Sequence, residues 1–518
     1  MVHGTIDAAV YLWYNKIQCE FAKKDEGSKK LAEKIARENK MGTMPVTRLL
    51  LNMSLPMIAS MLVQALYNVV DTMFVSYIPY EGDGASPAVA ALSIAFIVQN
   101  LQIAVGVGTG VGVNALISRN LGMKDQKTAN AIAANGMFLA ACSYVFFLLL
   151  GIFAVKPFMQ LMNQSDPAVV DAGVQYLSIC LIFSFGSCAQ LMIEKLMQSS
   201  GNTMLSMYTQ GLGAIINIAL DPFFILDGGT PLFGGAITMP FGLGLGVAGA
   251  AIATVIGQIV SAIFGIILNH KCNKDVHLSF RGFKPDLKLI KEIYVIGIPS
   301  IVMGSIGSIM TGGLNLIFNG FGAMTTAAQN VMGIYFKLQS FVFMPVFGLN
   351  NGLIPIVGYN YGAQKRKRIV RVAIVSCIFA VSFMTLGLVL MQLIPAQMLA
   401  IFNVSEGAPE MRIGVQALRT ISLSFIFAGV SITIGGVFSA FGKSLFSMFV
   451  SIARQLVVLL PVAFLLAQTP DGLMAIWWAF PIAELMSIAM SMAFLLILWH
   501  KTIKKLPADG PLVRVEDM

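Results

Sequence analysis

The sequence predicts an all-α polytopic membrane protein, with twelve transmembrane helices in two parallel pseudo-repeat six-helix lobes around a central cavity. Three observations predict it: an apolar composition, an alternation of basic and non-basic loops, and a set of local patterns repeated about 240 residues apart. Of the 518 residues, 57% are hydrophobic and only 11% charged, with a mean hydropathy of +0.78. Soluble domains carry roughly 25% charged residues. A chain this apolar cannot cover itself with polar surface in water, whereas in a bilayer lipid takes the place of water around it.

A helix crosses the hydrocarbon core with about 20 apolar residues. Twelve such runs are present, at about 47–77, 87–118, 129–154, 170–197, 204–227, 243–269, 289–320, 325–358, 369–394, 411–440, 445–467 and 472–499. Basic loops alternate with loops that have few or no bases. The N-terminal stretch carries Lys23 to Lys40, the second loop Arg119, Lys124 and Lys127, the sixth Lys271 to Lys291, and the eighth Lys365 to Arg371. The loops around Glu81 and Asp83, from Asp227 to Pro240, around Gly322 and at Asp471 carry no Lys or Arg. This is the positive-inside pattern. It accounts for the net charge of +9 without nucleic acid, and it places both termini in the cytoplasm of a multi-pass cell (inner) membrane protein.

The division that follows is a cytoplasmic polar extension (1–44), an N-lobe of spans 1–6 (45–270), a cytoplasmic linker (271–288), a C-lobe of spans 7–12 (289–500) and a cytoplasmic tail (501–518). Ala8 to Trp13 is too short for a signal-peptide core, and no cleavage site follows it. The six cysteines show no CxxC spacing, so neither a disulfide framework nor a zinc site is expected. The four histidines fall in tails or at helix borders, a poor arrangement for catalysis inside the membrane.

The two halves match in outline. Pro56 pairs with Pro299, Gly122 in "RNLGMKD" with Gly362 in "YNYGAQK", Gly201 in "SSGNTMLSM" with Gly442 in "AFGKSLFSM", and Pro222 with Pro461, all at separations of 239 to 243. Six spans per repeat keep both copies parallel, as two lobes about an axis along the membrane normal. That plan favours a monomeric transporter over a channel assembled around a shared pore.

Ionisable residues within spans are costly and so point to function or to a partner. Asp71 lies about 22 residues into span 1, and Asp221 about 17 into span 5. At 1.5 Å per residue both fall in the outer half of the N-lobe. Asn217 precedes Asp221 by one helical turn, and Asn68 stands three before Asp71, so each pair shares a helix face. Pro222 cannot donate to the Ile218 carbonyl, which frees another oxygen. Two carboxylates, an amide and spare carbonyls suit Na⁺, with Asp71, Asn217 and Asp221 as its ligands, and they equally suit a proton. A structural polar network is the plainer reading of the same residues. Pro56, 15 residues before Asp71, is placed to bend span 1. Lys337 lies about 12 residues into span 8, either facing the cavity or pairing with an acid. Arg454 and Glu484 lie at similar depth on consecutive spans, as an ion pair or as a functional pair of the C-lobe.

Several segments resemble the multidrug and toxic compound extrusion (MATE) family over about residues 44–500: "SLPMIASMLVQALYNVVDTMFVS" (54–76), "QSSGNTMLSMYTQGLGAIINIALDPFFIL" (198–226), "GVAGAAIATVIGQIVSAI" (246–263) and "PIVGYNYGAQ" (355–364). The "GYNYGA" loop and the "ARQ…PIAE" pattern are most similar to its MepA-like bacterial branch. The resemblance implies an exporter that trades inward H⁺ or Na⁺ for outward cationic, amphipathic compounds by alternating access, with no other cofactor. It maps the N-lobe cation site onto Asp71, Asn217 and Asp221, adds Thr254 of span 6, and maps the span 1 hinge onto Pro56. Spans 7 and 10 contain no acid, so the C-lobe cation site of some members has no counterpart here. The 44-residue extension also exceeds the family's usual short tail.

Two other classes compete. A flippase for lipid-linked oligosaccharides or other amphiphiles would place basic residues in the cavity, of which Lys337 is one. A membrane enzyme would need nucleophile, base or metal ligands clustered at one depth, and none is found. No GxxxxGK[ST] loop is present, so an ion gradient is the expected energy source.

Overall fold

The computed structural model describes residues 39–78, 87–162, 166–232, 237–280, 283–402 and 404–507. Most of the 1–44 extension, Glu81, Asp83, Arg281, Arg514 and the side chain of Asn68 lie outside the described residues. Span 1 is Val46–Ser76, span 2 Pro87–Gly122, span 3 Gln126–Phe153 and span 5 Thr203–Ile225. Span 6 is Gly246–Cys272, span 7 Leu287–Phe318, span 8 Thr325–Gly362 and span 9 Arg366–Leu393.

Four spans are less regular than the sequence suggests. Span 4 is two helices, Pro167–Ile182 and Phe185–Ser199, bent by 50°, and span 10 is Pro409–Ser422 and Phe425–Ala440, bent by 49°. Span 11 runs Ser444–Ala467 through a π-helical turn at Ala453–Leu459. That turn ends just before Pro461, whose missing N–H leaves the ladder of regular bonds unsupported. Span 12 begins as short turns from Gly472 and becomes the helix Ala479–Lys501. Conversely, span 1 continues as one helix through Pro56, and span 5 through Pro222.

By length and apolarity, eight helices can cross a membrane, or ten if each bent pair is one span. One of these runs, Leu287–Gly362, is 76 residues long, far beyond the roughly 30 Å hydrocarbon core at 1.5 Å per residue. It makes two passes. Gly108 and Gly112 of span 2 face Ile301 and Ile293 of span 7, so those helices are antiparallel. Gly122, at the end of span 2, faces Tyr359 at the end of span 8. Span 7 therefore leaves the face to which span 8 returns, turning at Gly322 with φ 57°. Thr203–Ile225 is less apolar than these because it carries Gln210, Asn217 and Asp221, but its 23 residues are long enough to cross. With it, the spans number twelve.

The repeat is visible in the backbone. The span 4 and span 10 bends recur 240 residues apart, as do the left-handed Lys124 (φ 62°) and Gln364 (φ 56°). Gly201 (φ 87°) and Gly442 (φ 73°) close equivalent helix ends, where the left-handed region favours glycine. Short helices Val155–Met162 and Pro395–Ala400 follow spans 3 and 9. The only strands among the described residues, Pro231–Leu232 and Ile237–Thr238, pair antiparallel in the loop between spans 5 and 6.

The basic loops gather on one face. There, the segment before span 1 joins both lobes. Asn39 donates to the Ser200 carbonyl (2.8 Å) and to Asp275 (2.9 Å), while Arg368 donates to the Met41 (3.1 Å) and Met44 (2.8 Å) carbonyls. Arg366 donates to the Lys504 carbonyl (3.3 Å), which brings the end of the described chain to the same face. The lobes meet tightly in this half. Gly348 and Gly352 of span 8 lie against Ile58 and Ser54 of span 1, and the Arg119 guanidinium sits 5.0 Å over the Tyr361 ring. Toward the opposite face a cavity of about 340 Å³ opens between Ile97 and Leu101 of span 2 and Gly304 and Ser308 of span 7.

Candidate functional site: a buried acidic cluster in the first lobe

Spans 1, 5 and 6 bring three of the expected residues into one buried cluster and place Asp71 beside it. Asp221 is fully buried, and Asp71 is 8% exposed. The one-turn spacing of Asn217 and Asp221 has the expected effect: the Asn217 amide donates to Asp221 Oδ1 at 3.0 Å. The same amide reaches Thr254 Oγ1 on span 6 at 3.3 Å. Asp71 and Asp221 are near enough to interact electrostatically.

The cluster is left short of donors. Asp71 Oδ1, Asn217 Oδ1 and Asp221 Oδ2 are buried and have no hydrogen-bond partner. A buried acceptor without a donor costs about 1–3 kcal/mol, more when charged, so these oxygens suit a proton or a small cation. Their chemistry also fits Na⁺, a hard ion that takes oxygen ligands. Among the described residues, no group of three or more His, Cys, Asp or Glu could hold a metal, and the third oxygen here comes from an amide.

The surroundings include residues that sequence reasoning passed over. Tyr67, Tyr176 and Cys180 lie within the electrostatic reach of Asp71. Gln99 of span 2 donates to the Tyr176 hydroxyl (3.3 Å) and to Cys180 Sγ (3.4 Å). Gln210 of span 5 donates to Gln64 of span 1 at 3.0 Å. These amides are neutral, so a search for embedded charges misses them; a search for any amide within an apolar run finds all three. Pro56 is buried on the lobe-contact half of span 1, between Ser54 and Ile58. At 1.5 Å per residue it lies about 22 Å along the helix from Asp71, well away from the acidic cluster.

In the second lobe, Arg454 and Glu484 do form an ion pair, at 2.5 Å. Glu484 Oε2 is buried without a partner. The π-helical turn carries Arg454, and the buried Tyr335 of span 8 lies close to both charges. Lys337 does not join them: among the described residues it has no ion-pair partner, and its ammonium lies 5.7 Å over the Phe402 ring.

Lys195, which the sequence places beside a loop, is instead buried in span 4 next to Glu194. Its ammonium donates to Gln198 (3.0 Å) and, across the lobe boundary, to Asn351 of span 8 (3.1 Å). Outside the spans, burial pushes the Asp275 carboxyl above the usual aspartate range, against the Asn39 hydrogen bond and the nearby His277 and Lys40 charges. Burial likewise lowers the neighbouring Lys40, against the pull of Asp275.

Two parallel six-helix lobes, closed against each other at one face and holding a buried ion-type cluster in one lobe, define a membrane transporter. The MatE family model matches residues 56–223 and 299–465, one copy in each lobe. The multidrug export protein MepA of Staphylococcus saprophyticus is 25% identical over 453 residues, covering 87% of this chain and 93% of that protein. Among solved structures, a MOP superfamily transporter from Pyrococcus furiosus superposes with a TM-score of 0.81 at 22% identity, covering 90% of this chain and 99% of that one. An outward-facing multidrug resistance MATE transporter superposes with a TM-score of 0.80 at 22% identity and the same coverage. The chain belongs to the MatE family of membrane transporters.

Proposed function

We propose that this protein exports cationic, amphipathic compounds across the cell membrane as a monomer, in exchange for inward H⁺ or Na⁺. The observation that carries the reading is the trio of unpartnered oxygens on Asp71, Asn217 and Asp221, buried in one lobe of a two-lobe transporter. The similarity to proteins named for multidrug export supports the substrate class.

The basic face is the cytoplasmic one by the positive-inside rule. The lobes are closed there, so the cleft faces outward. In this state an ion entering from outside satisfies the three oxygens, with Asn217 fixed by its bonds to Asp221 and Thr254. Charge neutralisation at Asp71 changes what span 1 can bond to. Span 1 carries both Asp71 and the residues that hold the lobes together, Ser54 and Ile58. Ion binding thereby biases the cytoplasmic contact, and Pro56 lies between those two residues as the point of bending. The lobes rock about the cleft, and substrate and ion occupy it in alternation.

The test is export of a fluorescent cationic dye from vesicles under separately imposed H⁺ and Na⁺ gradients, with Asp71→Asn and Asp221→Asn as the altered proteins. Gradient-driven export by the parent and its loss in both variants is the expected result. Full gradient-driven export by both variants removes the ion site from this cluster. Failure to move any organic cation favours an amphiphile flippase.

A further inference from the structure

Lys337, Phe341, Gly348 and Gly352 recur on one side of span 8. Near the cytoplasmic face this side is covered by span 1, at Gly348 and Gly352. Toward the outer face the cover ends: Phe341 is 56% exposed and Lys337 is exposed. Lys337 opens into a cavity of about 500 Å³ that it shares with Glu410, Gln329, Asn330, Phe402 and Ser405. Glu410 is the one carboxylate among the residues lining it. Neither charge is in an ion pair among the described residues. The Phe402 ring attracts the ammonium but accepts no ordinary hydrogen bond from its three N–H donors.

We propose that this C-lobe cavity binds a zwitterionic amphiphile, with Lys337 holding its acidic group and Glu410 its cationic group. An unpaired lysine and an unpaired carboxylate in one polar cavity offer complementary partners to a molecule that carries both charges. Gln329 and Asn330 supply neutral donors and acceptors beside them, and Phe402 supplies an apolar wall. A purely cationic ligand would meet Lys337 as a like charge. The N-lobe differs, since Asp71 and Asp221 are buried in the bundle, and its buried Lys195 lies toward the cytoplasmic side beside Glu194 and is already bonded to Gln198 and Asn351. The proposal rests on the reading of the protein as an exporter of amphipathic compounds and adds the charge type that this C-lobe cavity selects.

Rhodamine 110 and rhodamine 123 test it, since they differ by one methyl ester: the first has a free carboxylate, and the second has none. Equilibrium binding to the purified full chain is followed by fluorescence polarisation. The parent is expected to bind rhodamine 110 more tightly. Lys337→Gln weakens rhodamine 110 by about tenfold, the scale of one hydrogen bond to a charged group, and leaves rhodamine 123 bound at least as tightly as in the parent, which also shows that the variant is folded. Lys337→Arg restores rhodamine 110, and Glu410→Gln weakens both dyes. Equal effects of Lys337→Gln on the two dyes, or none on either, overturn the proposal while leaving the exporter reading intact. A parent that binds neither dye overturns both.

Discussion

Gly122 lies where span 2 of the N-lobe meets the end of span 8 of the C-lobe. A Cβ there would press into the Tyr359 carbonyl, at a separation real Cβ atoms do not show, and a Cβ on Gly362 would meet the Arg119 carbonyl in the same way. The obstacle is backbone in both cases, so no side chain can turn aside and the lobes themselves must move. Overpacking of this kind costs about 1–3 kcal/mol. Alanine is otherwise the better helix former than glycine by about 1 kcal/mol, and Gly122 does not have a positive φ. That propensity gain is common to the open and closed states, so Gly122→Ala is expected to disfavour the cytoplasm-closed state by about 1–3 kcal/mol, a factor of at least about 5 in its population. Spin labels at the exposed Lys127 and Lys367, one on each lobe, report the separation directly. The expected result is a longer-distance population in Gly122→Ala, larger in the double variant with Gly362→Ala. An unchanged distance distribution in a folded double variant would refute the idea that these glycines set the closure.

The same label pair applies to Lys195→Met, which removes the Lys195–Asn351 bond between the lobes. It is expected to weaken closure by about 1–3 kcal/mol and to shift the distances in the same direction as Gly122→Ala. Glu484→Ala leaves Arg454 without its carboxylate; breaking a buried pair costs about 3–5 kcal/mol, reduced here because Arg454 is 24% exposed. A lower thermal unfolding midpoint is expected, with partial recovery when Arg454→Met is added. The raised Asp275 carboxyl means that the folded chain binds that proton more tightly than the unfolded chain, so its contribution to stability is fully present below pH 3.8 and is lost as pH rises through the raised value. The thermal unfolding midpoint measured across that range should fall with rising pH more steeply in the parent than in Asp275→Asn.

The parts of this structure legible in the sequence are those set by solvent and by helical spacing. Apolar runs mark the spans because a bilayer demands them, and Asn217 and Asp221 meet because they stand one turn apart. Pro56, Gly122 and Gly201 reveal the repeat because their local geometry recurs in each lobe. The bends at Phe183–Ser184 and Leu423–Ser424 are hidden, since no proline marks them and the serine hydroxyls that bond backbone carbonyls there, Ser187 to Ser184 and Ser424 to Ile421, are ordinary in apolar helices. Pro56 lies inside a helix that runs from Val46 to Ser76: proline is tolerated in a membrane helix when its surroundings satisfy the freed carbonyl, so it marks no helix end here. Lys195 is hidden because its partner Asn351 lies 156 residues away in the other lobe. Gln99 and Gln210 carry no charge and so escape a search for charges, although they complete the polar surroundings of the acidic cluster.

Coupling is tested most directly by running the exchange backwards in liposomes that contain only this protein. An imposed gradient of a cationic dye is expected to drive H⁺ or Na⁺ the opposite way, with no counterflow in Asp71→Asn or Asp221→Asn. Dye movement without ion counterflow in the parent, or undiminished counterflow in both variants, would contradict the assignment of the buried N-lobe cluster as the coupling site.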